Sequence, residues 1–163
     1  MMRARRNPAS RSEPPFGHRN LPLLLLQARE AVLAHFRPVL QAHGVTEQQW
    51  RILRALLESG ALEPRQIGEQ CRISSPSLAG VLARMDDLGL VQRARVADDQ
   101  RRVMVSLSPH SQALVGVMAP QIEAVYQRIE AHMGAEAISR FDATLDEMVA
   151  LLQGLPDSAP DAG

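Results

Sequence analysis

Apolar positions recur along this chain with two different periods. Leu78, Val81, Leu82 and Met85 fall at i, i+3, i+4 and i+7, the spacing of one buried helix face. Past Gly89 the period drops to two, with Val103, Val105 and Leu107 on one side of an extended run. The pattern over Ile73–Ser108 therefore predicts a helix, a tight turn, a strand Leu90–Val96 and a second strand Arg102–Ser108. Ala97, Asp98, Asp99, Gln100 and Arg101 are expected to form the tip between the strands. Ser75 is read as the N-cap, Pro76 as the first helical residue and Gly89 as the stop. The helix face opposite the apolar stripe carries Ser77, Ala79, Gly80 and Arg84, side chains that are small, polar or basic and suit close approach to a groove.

The same reading extends to the rest of the chain. Asn20 caps a helix beginning Leu21-Pro22, and Leu23–Leu26 is apolar on every side. Such a helix start needs cover all round, which a dimer interface supplies more readily than a small monomer. Pro38 should kink this helix, and His43-Gly44 ends it. Thr46 and Gln49 match a capping box opening a second helix, with Trp50, Leu53, Leu56 and Leu57 as its inner face. A third helix starts at Leu62-Glu63-Pro64, with Ile67 and Cys71 facing inward. Ser108-Pro109 opens a long helix through Met133 with its stripe at Leu114, Val117, Met118, Ile122, Val125, Ile129 and Met133. Gly134 resets the chain before a last amphipathic helix marked by Ile138, Phe141, Leu145, Met148, Val149 and Leu152. The expected organisation is a disordered basic arm over 1–19, a dimerisation helix over 20–44 and a helix-turn-helix with strands over 45–108. Dimerisation helices over 109–154 and a loose tail over 155–163 complete it.

Composition narrows the function. A chain of 163 residues with 45% apolar content can bury one core, and 3% aromatics leave that core to Leu, Val, Ile, Ala and Met. No apolar run reaches membrane-spanning length and nothing resembles a signal peptide, so a cytoplasmic protein without a membrane partner is expected. A lone cysteine, Cys71, excludes an intrachain disulfide framework. The net charge of zero hides an asymmetry. Residues 1–102 carry 16 arginines against 10 acidic residues, whereas 103–163 carry 2 against 8. A basic front and an acidic back suit a protein that meets a polyanion on one side. The histidines are scattered, and neither HExxH, GxSxG nor a glycine-rich phosphate loop occurs, so no enzyme and no cofactor are expected.

The stretch Gly89-Leu90-Val91-x-Arg93, with Asp99-x-Arg101-x-x-x-Val105-x-Leu107-Ser108 through the second strand, resembles the winged helix-turn-helix of the MarR family of transcription regulators. The family usually has Thr where this chain has Ser108, and either hydroxyl can cap the next helix. The wider string from Leu21 to Leu152 is similar to the branch that represses homoprotocatechuate and related aromatic-acid degradation operons. The resemblance implies a mainly α fold with a small β-wing, the winged unit being flanked by N- and C-terminal dimerisation helices. It further implies a homodimeric repressor of aromatic-acid or pyridine-carboxylate catabolism genes on double-stranded operator DNA, released by a small aromatic carboxylate effector.

Ser75, Pro76, Ser77, Gly80 and Arg84 are the helix candidates for DNA contact. Hydroxyls and N–H groups at a helix N-terminus suit phosphate, and small residues permit close approach. Family members often carry Thr and Arg where this chain has Ala79 and Gly80, which shifts the expected readout toward DNA shape. At the wing, Arg101 resembles the arginine that enters the minor groove, with Asp99 expected to hold its guanidinium by a fork-shaped ion pair. Arg93, Arg95 and Arg102 are candidate phosphate contacts. For the effector, His18, Arg19, Asn20 and Gln27 at the first helix start, with Trp50 and Arg51 on the second helix, offer polar groups and an apolar wall. Two alternatives stay open: a redox-sensing regulator acting through Cys71, and a protein-interaction module that binds no DNA.

Overall fold

The computed structural model describes residues 16–156 except Asp98, together with the backbone but not the side chain of Gln100. Of the expected arm over 1–19 and tail over 155–163, residues 1–15 and 157–163 lie outside the described residues. The chain divides into two compact units, Met1–Ala34 and His35–Gly163.

In the first unit, Asn20 caps α1 (Leu21–Ala42) as the sequence implies: its Oδ1 accepts the Leu23 N–H at 3.1 Å. Leu21, Leu23 and Leu26 are exposed. Helix α1 continues through Pro38, which has no N–H to offer the carbonyl of Ala34, the last residue of that unit.

The second unit holds α2 (Glu47–Ser59), α3 (Pro64–Cys71), α4 (Ser75–Asp87), β1 (Val91–Val96), β2 (Asp99–Leu107), α5 (Pro109–Met133) and α6 (Ala135–Gln153). The capping box at α2 is formed, Gln49 N–H to Thr46 Oγ1 and Thr46 N–H to Gln49 Oε1. Such a cap stabilises a helix by about 1 kcal/mol. One apolar cluster runs from Phe36 and Leu40 at the end of α1 through Ile52, Leu53, Ile67, Leu82, Met85 and Val105 to Met118, Ile122 and Val125. The expected stripe of α4, Leu78, Val81, Leu82 and Met85, is buried throughout. On α2 the inner face is instead Gln49, Ile52, Leu53 and Leu56; Trp50 is half-buried and Leu57 exposed. The helix is turned by about one position because the polar Gln49 is drawn inward by its cap. Val117 and Met133 of α5 are exposed, contrary to their place in the expected stripe, and α6 buries no residue at all.

The antiparallel strands pair from Val91↔Leu107 to Arg95↔Val103, and then Val96 pairs with Asp99. Gln100, Arg101 and Arg102 therefore bulge out of the ladder. Strand β2 begins three residues earlier than the hydrophobic alternation suggests, since Asp99 still pairs with Val96. Leu62 adds a further bridge, exchanging hydrogen bonds with Val105 at 2.8 and 2.9 Å, and so ties the start of α3 to the wing.

Candidate nucleic-acid interface

Helices α3 and α4 are joined by a turn that is held from several sides. Arg72 closes α3 in the left-handed conformation, φ 52°, ψ 50°. The N–H of buried Ile73 returns to the Gly68 carbonyl at 3.0 Å. That anchoring makes Ser74, not Ser75, the N-cap of α4, with ψ 148°; Ser75 is the first helical residue and Pro76 the second. The hydroxyl of Ser74 donates to Ser77 Oγ at 3.1 Å, and no side chain caps the first turn. The N–H groups of Ser75 and Ser77 are thus available to an anion at the positive end of the helix. Ser75, Pro76, Ser77, Ala79 and Arg84 are exposed and Gly80 is half-buried. The Arg84 guanidinium lies back over Gly80, whose absent Cβ would stand 3.8 Å from Nη1. At the far end Gly89, φ +64°, donates to Asp86 O while Leu90 N–H reaches Met85 O. This Schellman closure turns the chain straight into β1.

An open groove of about 840 Å³ runs between α3 and α4, lined by Pro64, Arg65, Gly68, Ser75, Ala79, Ala83 and Arg93 among others. The wing arginines are placed unequally. Arg93 is ion-paired with Asp86 at the end of α4. Arg102 Nε donates to Glu63 Oε1 at 2.6 Å, so the start of α3 holds the base of the bulge. Arg95 is exposed on β1 opposite Val103. Arg101 is exposed in the bulge. The fork-shaped pair expected between Asp99 and Arg101 is replaced by a backbone bond: Asp99 Oδ1 accepts the Arg101 N–H at 3.1 Å. The short aspartate side chain reaches the main chain two residues on more readily than a guanidinium on a diverging side chain.

The effector candidates fall in both units. His18, Arg19, Asn20 and Gln27 are exposed in the first, and the Asn20 side-chain oxygen is engaged in capping. In the second, Trp50 packs half-buried against the core. Arg51 is tethered within the protein: its Nη1 donates to the Cys71 carbonyl at 2.7 Å. Sequence spacing gave no sign of this, because a cation beside an aromatic reads equally as ligand contact or helix tether. Cys71 is buried, and burial pushes its thiol up from the ordinary range, with Arg51 opposing more weakly. Burial and a raised thiol pKa both work against the exposed thiolate that an oxidant sensor needs.

A short recognition helix presenting a small-residue face, beside a two-stranded wing bearing arginines, defines a winged helix-turn-helix protein of the nucleic-acid-binding class. A sequence profile of the MarR family matches residues 43–102. The homoprotocatechuate degradative operon repressor of Escherichia coli is 41% identical over 143 residues, 88% of this chain and 97% of the relative. Among solved structures, the transcriptional regulator PA4135 superposes with a TM-score of 0.79 at 42% identity, covering 85% of this chain and all (100%) of that one. NadR in complex with 4-hydroxyphenylacetate superposes with a TM-score of 0.74 at 34% identity, covering 89% and 100%. The chain belongs to the MarR family of transcriptional repressors. Regulators of this family bind DNA as dimers and respond to small-molecule ligands.

Proposed function

We propose that this protein represses genes for aromatic-acid or pyridine-carboxylate breakdown by holding a pseudo-palindromic operator, and that a small aromatic carboxylate releases it. The observation that carries the reading is the exposed α4 face, Ser75, Pro76, Ser77 and Ala79, set on a fully buried stripe, with Arg84 exposed on the same helix and Arg101 exposed in the wing. Rigid backing holds the small residues where a duplex can approach within contact distance. First-turn N–H groups take phosphate, Arg101 enters the minor groove, and Arg84, Arg93, Arg95 and Arg102 add phosphate contacts. Arg93 and Arg102 do so while sharing their charge with Asp86 and Glu63.

Similarity to a homoprotocatechuate operon repressor and to a 4-hydroxyphenylacetate-bound regulator supports the effector class. On α2, Arg51 is tied to α3, so the carboxylate is assigned to Arg54, one helical turn beyond Trp50. Arg54 is half-exposed and shares Glu58 Oε1 at 2.6 Å, an exchangeable surface pair. The test has two stages. Footprinting on DNA selected by the protein should protect two half-sites about 10 bp apart. Thermal-shift screening of hydroxylated benzoates, phenylacetates and pyridine carboxylates should find a stabiliser that also releases that DNA. A single unpaired footprint overturns the dimeric operator reading; a stabilising ligand that leaves DNA bound overturns the effector reading.

A further inference from the structure

We propose that Arg51 is a positioning residue for DNA reading, acting through the main-chain carbonyl of Cys71 to fix the turn between α3 and α4. This rests on the operator-binding reading above. Cys71 is the last residue of α3, where carbonyls lack partners within the helix and carry its partial negative charge. Arg51 Nη1 supplies a charged donor there at 2.7 Å. Its Nε is shut away from water with no partner, so the side chain is held by its surroundings and not by its own best hydrogen bonding. The next residue, Arg72, is in the left-handed conformation, which a side chain rarely adopts unless neighbours enforce it. Beyond it the turn has little slack: a Cβ at Gly68 would stand 3.2 Å from Ile73 O and 3.3 Å from Leu78 Cδ2. Helix α4 starts three residues after Arg72, so a shift at the Cys71 carbonyl is passed to Ser75 and Ser77 across very few bonds.

The test uses the full chain with Arg51→Met and Arg51→Lys, a duplex recovered from a random library by the wild-type protein, and a scrambled duplex of equal length. Binding is measured over a salt series, with melting and sedimentation as controls. Arg51→Met is expected to lower the preference for the selected duplex about tenfold. Binding to the scrambled duplex and its salt slope are expected to stay unchanged, because the Arg51 guanidinium is committed to the Cys71 carbonyl. Arg51→Lys, which keeps the charge, is expected to recover part of the preference. A wild-type preference ratio in folded Arg51→Met overturns the proposal, as does a salt slope lowered by about one ion, which would make Arg51 a phosphate contact. If Arg51→Met does not fold, Arg51→Lys decides alone: a reduced ratio supports the proposal and an unchanged one overturns it. A wild-type protein that prefers no duplex is the failure of the operator reading instead.

Discussion

At the level of single residues, Asp99 separates two accounts of the wing. Its carboxylate accepts the Arg101 backbone N–H, a role an amide oxygen also fills. Asp99→Asn is therefore expected to keep operator affinity within about threefold, while Asp99→Ala loses more than that, less than 1–2 kcal/mol being at stake in one such bond. A guanidinium pair would make both variants fail alike; fluorescence anisotropy on the selected duplex distinguishes them. Cys71 gives a second prediction. Its thiol is held above its ordinary range by burial, so the fold favours the protonated form. The stability this contributes is complete below the unfolded-state thiol pKa and is lost as pH rises through the folded value. The melting-temperature advantage of wild type over Cys71→Ala should shrink from neutral to alkaline pH, and thiol labelling at neutral pH should be slow. The wing motif made Asp99 and Arg101 visible in the sequence, but not which atom of Arg101 the aspartate holds. Ser74 was hidden as N-cap by the adjacent Ser75, because two serines compete and only the anchoring of Ile73 decides.

Among the elements, α3, α4 and their stripes were legible because each side chain's burial follows a strict helical period. On α2 the helix, its capping box and the inward Leu53 and Leu56 were legible, but the burial of Gln49 and Ile52 in place of Trp50 and Leu57 was not, since the period admits two rotations. The strand β2 was read too short because its first residues are charged, and pairing of Val96 with Asp99 is a backbone event. Gly68 tests how tightly α3 meets the turn. Alanine gains about 1 kcal/mol of helix propensity over glycine. Here its Cβ would press on a backbone carbonyl at 3.2 Å, which cannot swing aside as a side chain would. Gly68→Ala is expected to lower the melting temperature by several degrees, roughly 1–3 kcal/mol of overpacking exceeding the propensity gain.

For the whole molecule, we propose that a second copy of the chain covers α6, which buries no residue in the single chain. Phe141 and Val149 are exposed on α6, yet sit on the apolar face that the sequence marks out. Phe141→Asp with Val149→Asp should leave the core cluster untouched, convert the protein to monomer in sedimentation at micromolar concentration, and weaken operator binding by at least about 100-fold through loss of the linked second half-site. Persistence of the dimer would remove α6 from the interface. Val117 and Met133, exposed on the expected stripe of α5, differ from the sequence reading because an apolar pattern shows which residues avoid water and not what covers them.

The carboxylates of Asp86 and Glu63 already neutralise Arg93 and Arg102 before any duplex arrives. Tallying arginines on the basic face thus overstates how many cations the duplex sheds on association. Deleting either carboxylate should steepen the log–log dependence of affinity on sodium chloride, tightening the grip at low ionic strength while blurring the choice between operator and bulk genomic DNA.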